Sequence, residues 1–401
     1  MAGIPRYRDY RGPALLSAGF RPFFLASALW AASAVPLWLV AFAGHDVLAS
    51  ALPAPLWHVH EMIYGFGAAT VAGFLLTAIP NWTGRMPLQG GPLAALVLLW
   101  LCGRLAMLVS SGLGAPAAMA LDLAFPLAFL GMVGREILAG RNWRNLPMLA
   151  ALGLLLVGNF LIHLEAIGAA PTGALGSRLG IATLLMLISF VGGRIIPSFT
   201  RNWLAKERPE IPLPAPFGTL DRGALALTGL ALALWVIAPD WRGAAAAELA
   251  AALALAVRLW RWRGIATLRE PLLWVLHLGY AWLPLGLLLL ALSGWFLRLP
   301  QTAALHALTV GAVGTMTLAV MTRASLGHCG QPVLAGAGTT SIYILVTLAA
   351  LLRVLAPLAG AQMPLVLDLA GTAWSGAFAL FALLYLGLFL RPRLSGATQP
   401  V

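Results

Sequence analysis

The sequence predicts an all-α fold, a polytopic membrane helical bundle of about twelve transmembrane helices, and three observations predict it. Of 401 residues, 61% are hydrophobic and only 9% are charged, whereas a soluble domain carries about a quarter charged residues. Apolar stretches close to twenty residues long recur along the whole chain, the length that a hydrocarbon layer about 30 Å thick demands of a helix. The 25 Lys and Arg residues, against 13 Asp and Glu, gather in short connections between those stretches. That is the positive-inside pattern of a membrane protein; without a basic face interleaved with aromatics it argues against nucleic acid and for membrane lipids as partner.

Read between Pro, Gly, Asn and Arg boundaries, the spans fall at residues 23–43, 58–80, 92–110, 117–134, 147–167, 178–197, 223–238, 244–259, 272–292, 303–321, 341–358 and 366–390. Together they make one transmembrane domain over 1–401, with an N-terminal segment at 1–22 and a C-terminal tail at 391–401. The N-terminal segment is Arg-rich and lacks a small-residue cleavage site, so it reads as an anchor for the first span, not a removable signal peptide. The eighth span, short and Ala-rich, is the weakest together with the seventh. Charge tests the count, because a miscounted span would put basic connections on alternating sides. Connections after even spans carry Arg85, then Arg135, Arg141 and Arg144, then Arg201, Lys206 and Arg208, then, given a real eighth span, the basic run 258–269, then Arg323. Those after odd spans, around His45, Ser111, Gly168, Asp240, Leu299 and Ala361, are nearly uncharged. With Arg6, Arg8, Arg11 and Arg21 before the first span and Arg391 and Arg393 after the last, both termini are expected in the cytoplasm.

A similar boundary closes every fourth span: Ile79-Pro80-Asn81-Trp82-Thr83, Ile196-Pro197-Ser198-Phe199-Thr200-Arg201 and Val320-Met321-Thr322-Arg323. It hints at three four-helix units.

Ionisable residues are rare in hydrocarbon and usually functional, yet six of the seven histidines lie in or beside spans. Span direction places His58, His60, His163 and His306 at the outer level, and His277 and His328 in the cytoplasmic half. In Trp57-His58-Val59-His60-Glu61-Met62 the two imidazoles stand roughly 200° apart on a regular helix, so they serve two centres or none. Glu61, three residues from His58, is placed to orient it. Neutral imidazole suits haem iron and copper, and Met62, Met316 and Met321 are soft partners for copper(I) when they are not simply core residues. Arg104 and Asp122 lie in the outer halves of adjacent antiparallel spans. They are expected to pair, since either alone is disfavoured by roughly 2.5–3.5 kcal/mol at the bilayer centre; Arg104 could instead hold an anionic group such as a haem propionate. Arg194 and Arg201 flank the cytoplasmic end of the sixth span, where topology explains them as well as ligand binding would. The tenth span carries Thr309, Gly311, Gly314, Thr315 and Thr317 where a lipid-facing helix would carry Leu, and is expected to be interior. Cys102 and Cys329, too far apart in depth to pair, support neither a disulfide framework nor a zinc thiolate site.

Gly19-Phe20-Arg21-Pro22-Phe23-Phe24, the Trp57–Met62 motif, the run from Ala72 to Gly84, Phe199-Thr200-Arg201-Asn202-Trp203 and the run from His306 to His328 resemble, in order, the NnrS family of bacterial membrane proteins. The resemblance spans nearly the whole chain. It implies a haem- and copper-containing inner-membrane protein of the nitric oxide and nitrosative-stress response, in bacteria that denitrify. It leaves open whether the protein reduces, scavenges or senses nitric oxide, and which redox partner it has. Motif by motif, the family's histidines fall on His58, His60, His277, His306 and His328, with His163 a sixth. A more distant similarity is to the heme-copper oxidases, also twelve-span proteins of three four-helix arcs with a His-x-His helix between two centres. This chain has neither their adjacent His-His pair nor a His in the sixth span, so copper would need a different ligand set. The competing reading is a transporter of a small anion or metal complex, with Arg104, Asp122 and the histidines lining its path.

Overall fold

The computed structural model describes residues 10–296 and 299–393; Arg6, Arg8 and the tail beyond residue 393 lie outside the described residues. Among the described residues every regular element is a helix. Twelve are long and apolar enough to cross a membrane: α1 (Phe20–Phe42), α2 (Ala54–Thr83), α3 (Gly91–Leu108), α4 (Ala115–Ala139), α5 (Trp143–Ala166), α6 (Gly173–Glu207), α7 (Thr219–Ile237), α8 (Arg242–Trp260), α9 (Pro271–Trp295), α10 (Gln301–His328), α11 (Ala337–Leu358) and α12 (Gly360–Leu390). Each overlaps an expected span, α7 and α8 included, and the chain is a multi-pass membrane protein. Leucines such as Leu98, Leu105, Leu230, Leu253 and Leu383 are exposed. In water such coverage would be a liability; against lipid it is an ordinary outer surface.

Proline sets several helix starts. It stands in the first helical turn of α2, α3, α4, α5 and α9, where its missing N–H deprives the helix of nothing and its φ is already helical. Pro36, Pro80, Pro126, Pro197 and Pro284 lie inside helices, which membrane bundles tolerate because neighbouring groups satisfy the freed carbonyls.

The residues group into two compact units: Met1–Gly180, Ser325–Gln331 and Ala382–Val401 form the first, Ile181–Ala324 and Pro332–Phe381 the second. In the first, α1 packs on α2, α3 on α4 and α4 on α5, over a core that includes Phe20, Phe23, Phe24, Trp57 and Phe66. In the second, α8 packs on α7 and α9, and both α9 and α11 pack on α10, over Trp235, Trp262, Tyr280, Tyr343 and Phe378. As its small residues predict, α10 is an interior helix; among the twelve its apolar stretch is the most buried.

The three helices with the recurring boundary motif share a backbone feature as well. α2, α6 and α10 each contain a π-helical stretch, Glu61–Gly67, Ile188–Gly192 and Ala307–Gly314. A π turn closes i→i+5 and is retained mostly at functional sites, because its hydrogen bonding is poorer than that of an α turn. Glycine lets neighbours crowd these stretches: a Cβ at Gly65 would lie 2.8 Å from Arg104 Nη1, and one at Gly311 2.5 Å from the Trp282 ring. The four-span period noticed in sequence thus reappears in helix winding.

Hydropathy marks only the apolar part of a helix, so some charges expected in connections belong to helix ends. α6 continues to Glu207 and α10 to His328, which puts Arg201, Lys206, Arg323 and His328 on helices. Arg21 is inside α1 and buried. Its Nη1 donates to the carbonyls of Leu388, Phe389 and Arg391 at 2.9, 3.0 and 2.7 Å, where the end of α12 leaves oxygens without helical donors and favours a cation. The start of α1 and the end of α12 therefore meet at one end of the first unit.

Candidate functional site

The site begins where α2 changes winding. His60 is the last residue before the π stretch and Glu61 the first within it. The wider winding brings consecutive side chains closer than the 100° of an α-helix, and His60 Nδ1 donates to Glu61 Oε1 at 2.8 Å. Arg104, four residues before the end of α3, donates from Nη1 to Glu61 Oε2 at 2.6 Å and from Nη2 to Asp122 Oδ1 on α4. Glycine permits that approach, since a Cβ at Gly103 would lie 2.9 Å from Asp122 Oδ1. Asn159 and His163, four residues apart and so on one face of α5, both reach Asp122 Oδ2, from Asn159 Nδ2 at 2.7 Å and His163 Nε2 at 2.9 Å. Asn159 Oδ1 lies 2.8 Å from His60 Nε2, which is itself 3.2 Å from Asp122 Oδ2.

All six side chains are buried. The expected Arg104–Asp122 pair is present, but Arg104 bridges two carboxylates, and each carboxylate also holds a histidine. Glu61 orients His60, through Oε1, where the sequence spacing points to His58, while its Oε2 holds Arg104.

The arrangement can hold a small cation. His60 Nε2, His163 Nε2 and an Asp122 oxygen all lie within 4.8 Å of one another. Ligand bonds of about 2.0–2.2 Å place neighbouring donors about 3–3.5 Å apart, close to the 3.2 and 2.9 Å found here. Two imidazoles and one carboxylate suit iron(II) or copper(II). They do not suit haem at this point: the Asp122 carboxylate stands between the two Nε2 atoms, and the imidazoles are 5.3 Å apart and edge-on, with no place for a macrocycle between them.

The other histidines have separate surroundings. His58 stacks on Trp38 of α1, ring centroids 4.2 Å apart, so the two histidines of the motif face different neighbours, as their spacing predicts. His306 Nδ1 donates to the Thr302 carbonyl at 2.7 Å, which fixes the orientation of its ring. His277 Nε2 is 2.9 Å from Thr200 Oγ1, its ring edge-on to Trp262, and His328 lies against Phe20 at the opposite end of α1 from His58. Arg194 is exposed over Phe190, and Arg201 donates to the Pro214 carbonyl at 2.9 Å. Met316 packs against Gly279, and Met321 is buried. Cys102 and Cys329 are both free.

Sequence reasoning saw Asp122 as an ion-pair partner or as a lining residue of a transport path, not as a metal ligand, and missed Asn159. The i, i+4 spacing of Asn159 and His163 in an otherwise apolar helix was the available signal. The second unit has a buried pair of its own that went unnoticed: Arg258 Nε donates to Asp221 at 2.9 Å, and its Nη1 to the Ser189 carbonyl of the α6 π stretch at 3.0 Å. In both units a buried arginine thus satisfies acceptors of a π stretch.

The family model described as NnrS protein matches residues 14–393, and no curated protein matches the chain.

Proposed function

The chain belongs to the NnrS family, and on that premise we propose that it is an inner-membrane metalloprotein of the nitric oxide and nitrosative-stress response that holds a copper or iron ion at His60, His163 and Asp122. The observation that carries the reading is the buried convergence of two imidazoles and a carboxylate from α2, α5 and α4. A redox-active ion there supplies a coordination site for nitric oxide. The protein's own groups prepare that site. Glu61 takes the Nδ1 hydrogen of His60 and orients the ring so that Nε2 faces Asp122, where a bound ion would take the place of the Nε2 hydrogen. Arg104 offsets the charge of both carboxylates and fixes their planes. Asn159 bridges His60 and Asp122, holding α5 in register. An uncharged gas reaches this depth through lipid, without an aqueous path.

Haem, the second cofactor implied by the family, fits His306 better than His60. A histidine whose Nδ1 hydrogen is held by a backbone carbonyl is oriented to present Nε2 to a metal, whereas His60 Nε2 faces Asp122 at 3.2 Å and the His163 ring at 5.3 Å, with no place for a macrocycle. Arg194 and Arg201 have no part in this reading.

Elemental analysis and the visible spectrum of the purified full-length protein test it. Wild type should carry about one non-haem metal, lost in His60→Ala, His163→Ala and Asp122→Asn and kept in His58→Ala. His306→Ala should lose the Soret band, and His60→Ala should keep it. Wild-type protein without metal, or metal unaffected by the three ligand substitutions, refutes the assignment.

A further inference from the structure

We propose that the cavity between α2, α3 and α4, at the end of the first unit that bears the basic connections, binds the phosphate headgroup of an anionic phospholipid. The cavity has a volume of about 760 Å³, within the range of pockets that accept ligands of this size. Its ionised lining residues are Arg11, Arg85, Arg135 and Glu136, three cations against one anion. Glu136 is shared: Arg85 Nε donates to its Oε2, and Arg135 Nη2 donates to its Oε1 at 3.0 Å. One carboxylate facing two guanidiniums leaves positive charge over.

The second observation is the direction of the polarity. Leu76 and Ile79 of α2 and Met132 and Val133 of α4 line the same cavity. Leu76 precedes the end of α2 at Thr83 by seven residues, and Met132 precedes the end of α4 at Ala139 by seven, so the apolar floor reaches about 10 Å inward. Arg135 stands near the end of α4 and Arg85 in the connection after α2, both with exposed side chains at the mouth. The gradient runs as it does in a lipid, charge at the membrane surface and hydrocarbon beneath it. A free oxyanion would use the mouth and leave the floor without a partner. Basic pockets between helices at a membrane surface recognise anionic headgroups in this way.

Native mass spectrometry of delipidated full-length protein, titrated with phosphatidylglycerol, phosphatidylcholine and inorganic phosphate, tests the proposal. Phosphatidylglycerol should bind at one site about tenfold tighter than phosphatidylcholine, from the charge difference. Arg135→Gln should weaken it about fivefold, and Glu136→Gln, which releases two guanidiniums, should tighten it by a similar factor. Opposite signs at adjacent residues on the helix end cannot arise from loss of fold. Met132→Trp, filling the floor without changing charge, should also weaken lipid binding. Equal affinities for the two lipids, or unchanged affinity across the variants, overturns the proposal. Displacement of the lipid by millimolar inorganic phosphate does so too, assigning the cavity to a free anion.

Discussion

Replacing Arg104 by Leu perturbs the centre of the first unit in a way that can be worked out from its contacts. The guanidinium donates to Glu61 at 2.6 Å and to Asp122, with all three side chains buried. Hydrogen bonds to charged groups contribute about 1.5–3 kcal/mol each, so two amount to about 3–6 kcal/mol. Breaking a buried ion pair by removing one partner independently suggests about 3–5 kcal/mol. Most of that loss comes from two stranded carboxylates, not from the missing arginine itself. Arg104→Leu should therefore destabilise by about 3–5 kcal/mol, and the triple variant Arg104→Leu, Glu61→Gln, Asp122→Asn should recover more than half of it. Reversible unfolding of the full chain in mixed SDS micelles, followed by tryptophan fluorescence, measures both. A single variant within about 1 kcal/mol of wild type, or a triple variant no better than the single, would refute the idea of a dry, mutually dependent network.

Gly65→Ala should destabilise by about 1–3 kcal/mol and reduce metal content, because its methyl would sit 2.8 Å from Arg104 Nη1 and 2.9 Å from Glu61 Oε2; both can be read in the same unfolding and elemental assays. Asn159→Leu should leave the fold in place but lower metal affinity about 10–100-fold, the usual effect of removing a group that orients ligands, measured by competition with a chelator. Burial raises the Cys329 thiol above its ordinary pKa, opposed by Arg21 and Arg393. At neutral pH it is therefore more fully protonated than an open thiol, and maleimide should label it much more slowly in folded than in denatured protein, the rate rising with pH. Reporter fusions after Arg11 and after Arg393 should report the same side of the membrane, as the contact of Arg21 with the end of α12 requires; opposite sides would contradict it.

Much of the fold was legible because lipid imposes a one-dimensional rule. Helix length and apolarity must match the bilayer, so spans such as 58–80 and 303–321 could be read by composition alone, and the sidedness of arginine fixed their count. The recurrence at spans two, six and ten was visible as a boundary motif, while the π winding behind it was not. Winding depends on what side chains find across the helix, here Arg104 against Glu61 and Arg258 against the Ser189 carbonyl. Charge near a span end was also ambiguous: Arg21 and Arg258 look like topology signals in the sequence, yet both are buried and satisfy carbonyls or carboxylates.

By itself the sequence determined a twelve-span helical membrane protein of the NnrS family and the separation of His58 from His60, and it made the pairing of Arg104 with Asp122 the expected one. These follow from hydropathy, from the expense of a lone charge in hydrocarbon, and from helical angle. Only the tertiary structure decided which histidines meet. His60 joins His163 across α2 and α5, with Asp122 of α4 between them, while His58 turns to Trp38. The reason is physical: spacing fixes the direction of a side chain on its own helix, but which helix stands in that direction depends on how the whole chain packs.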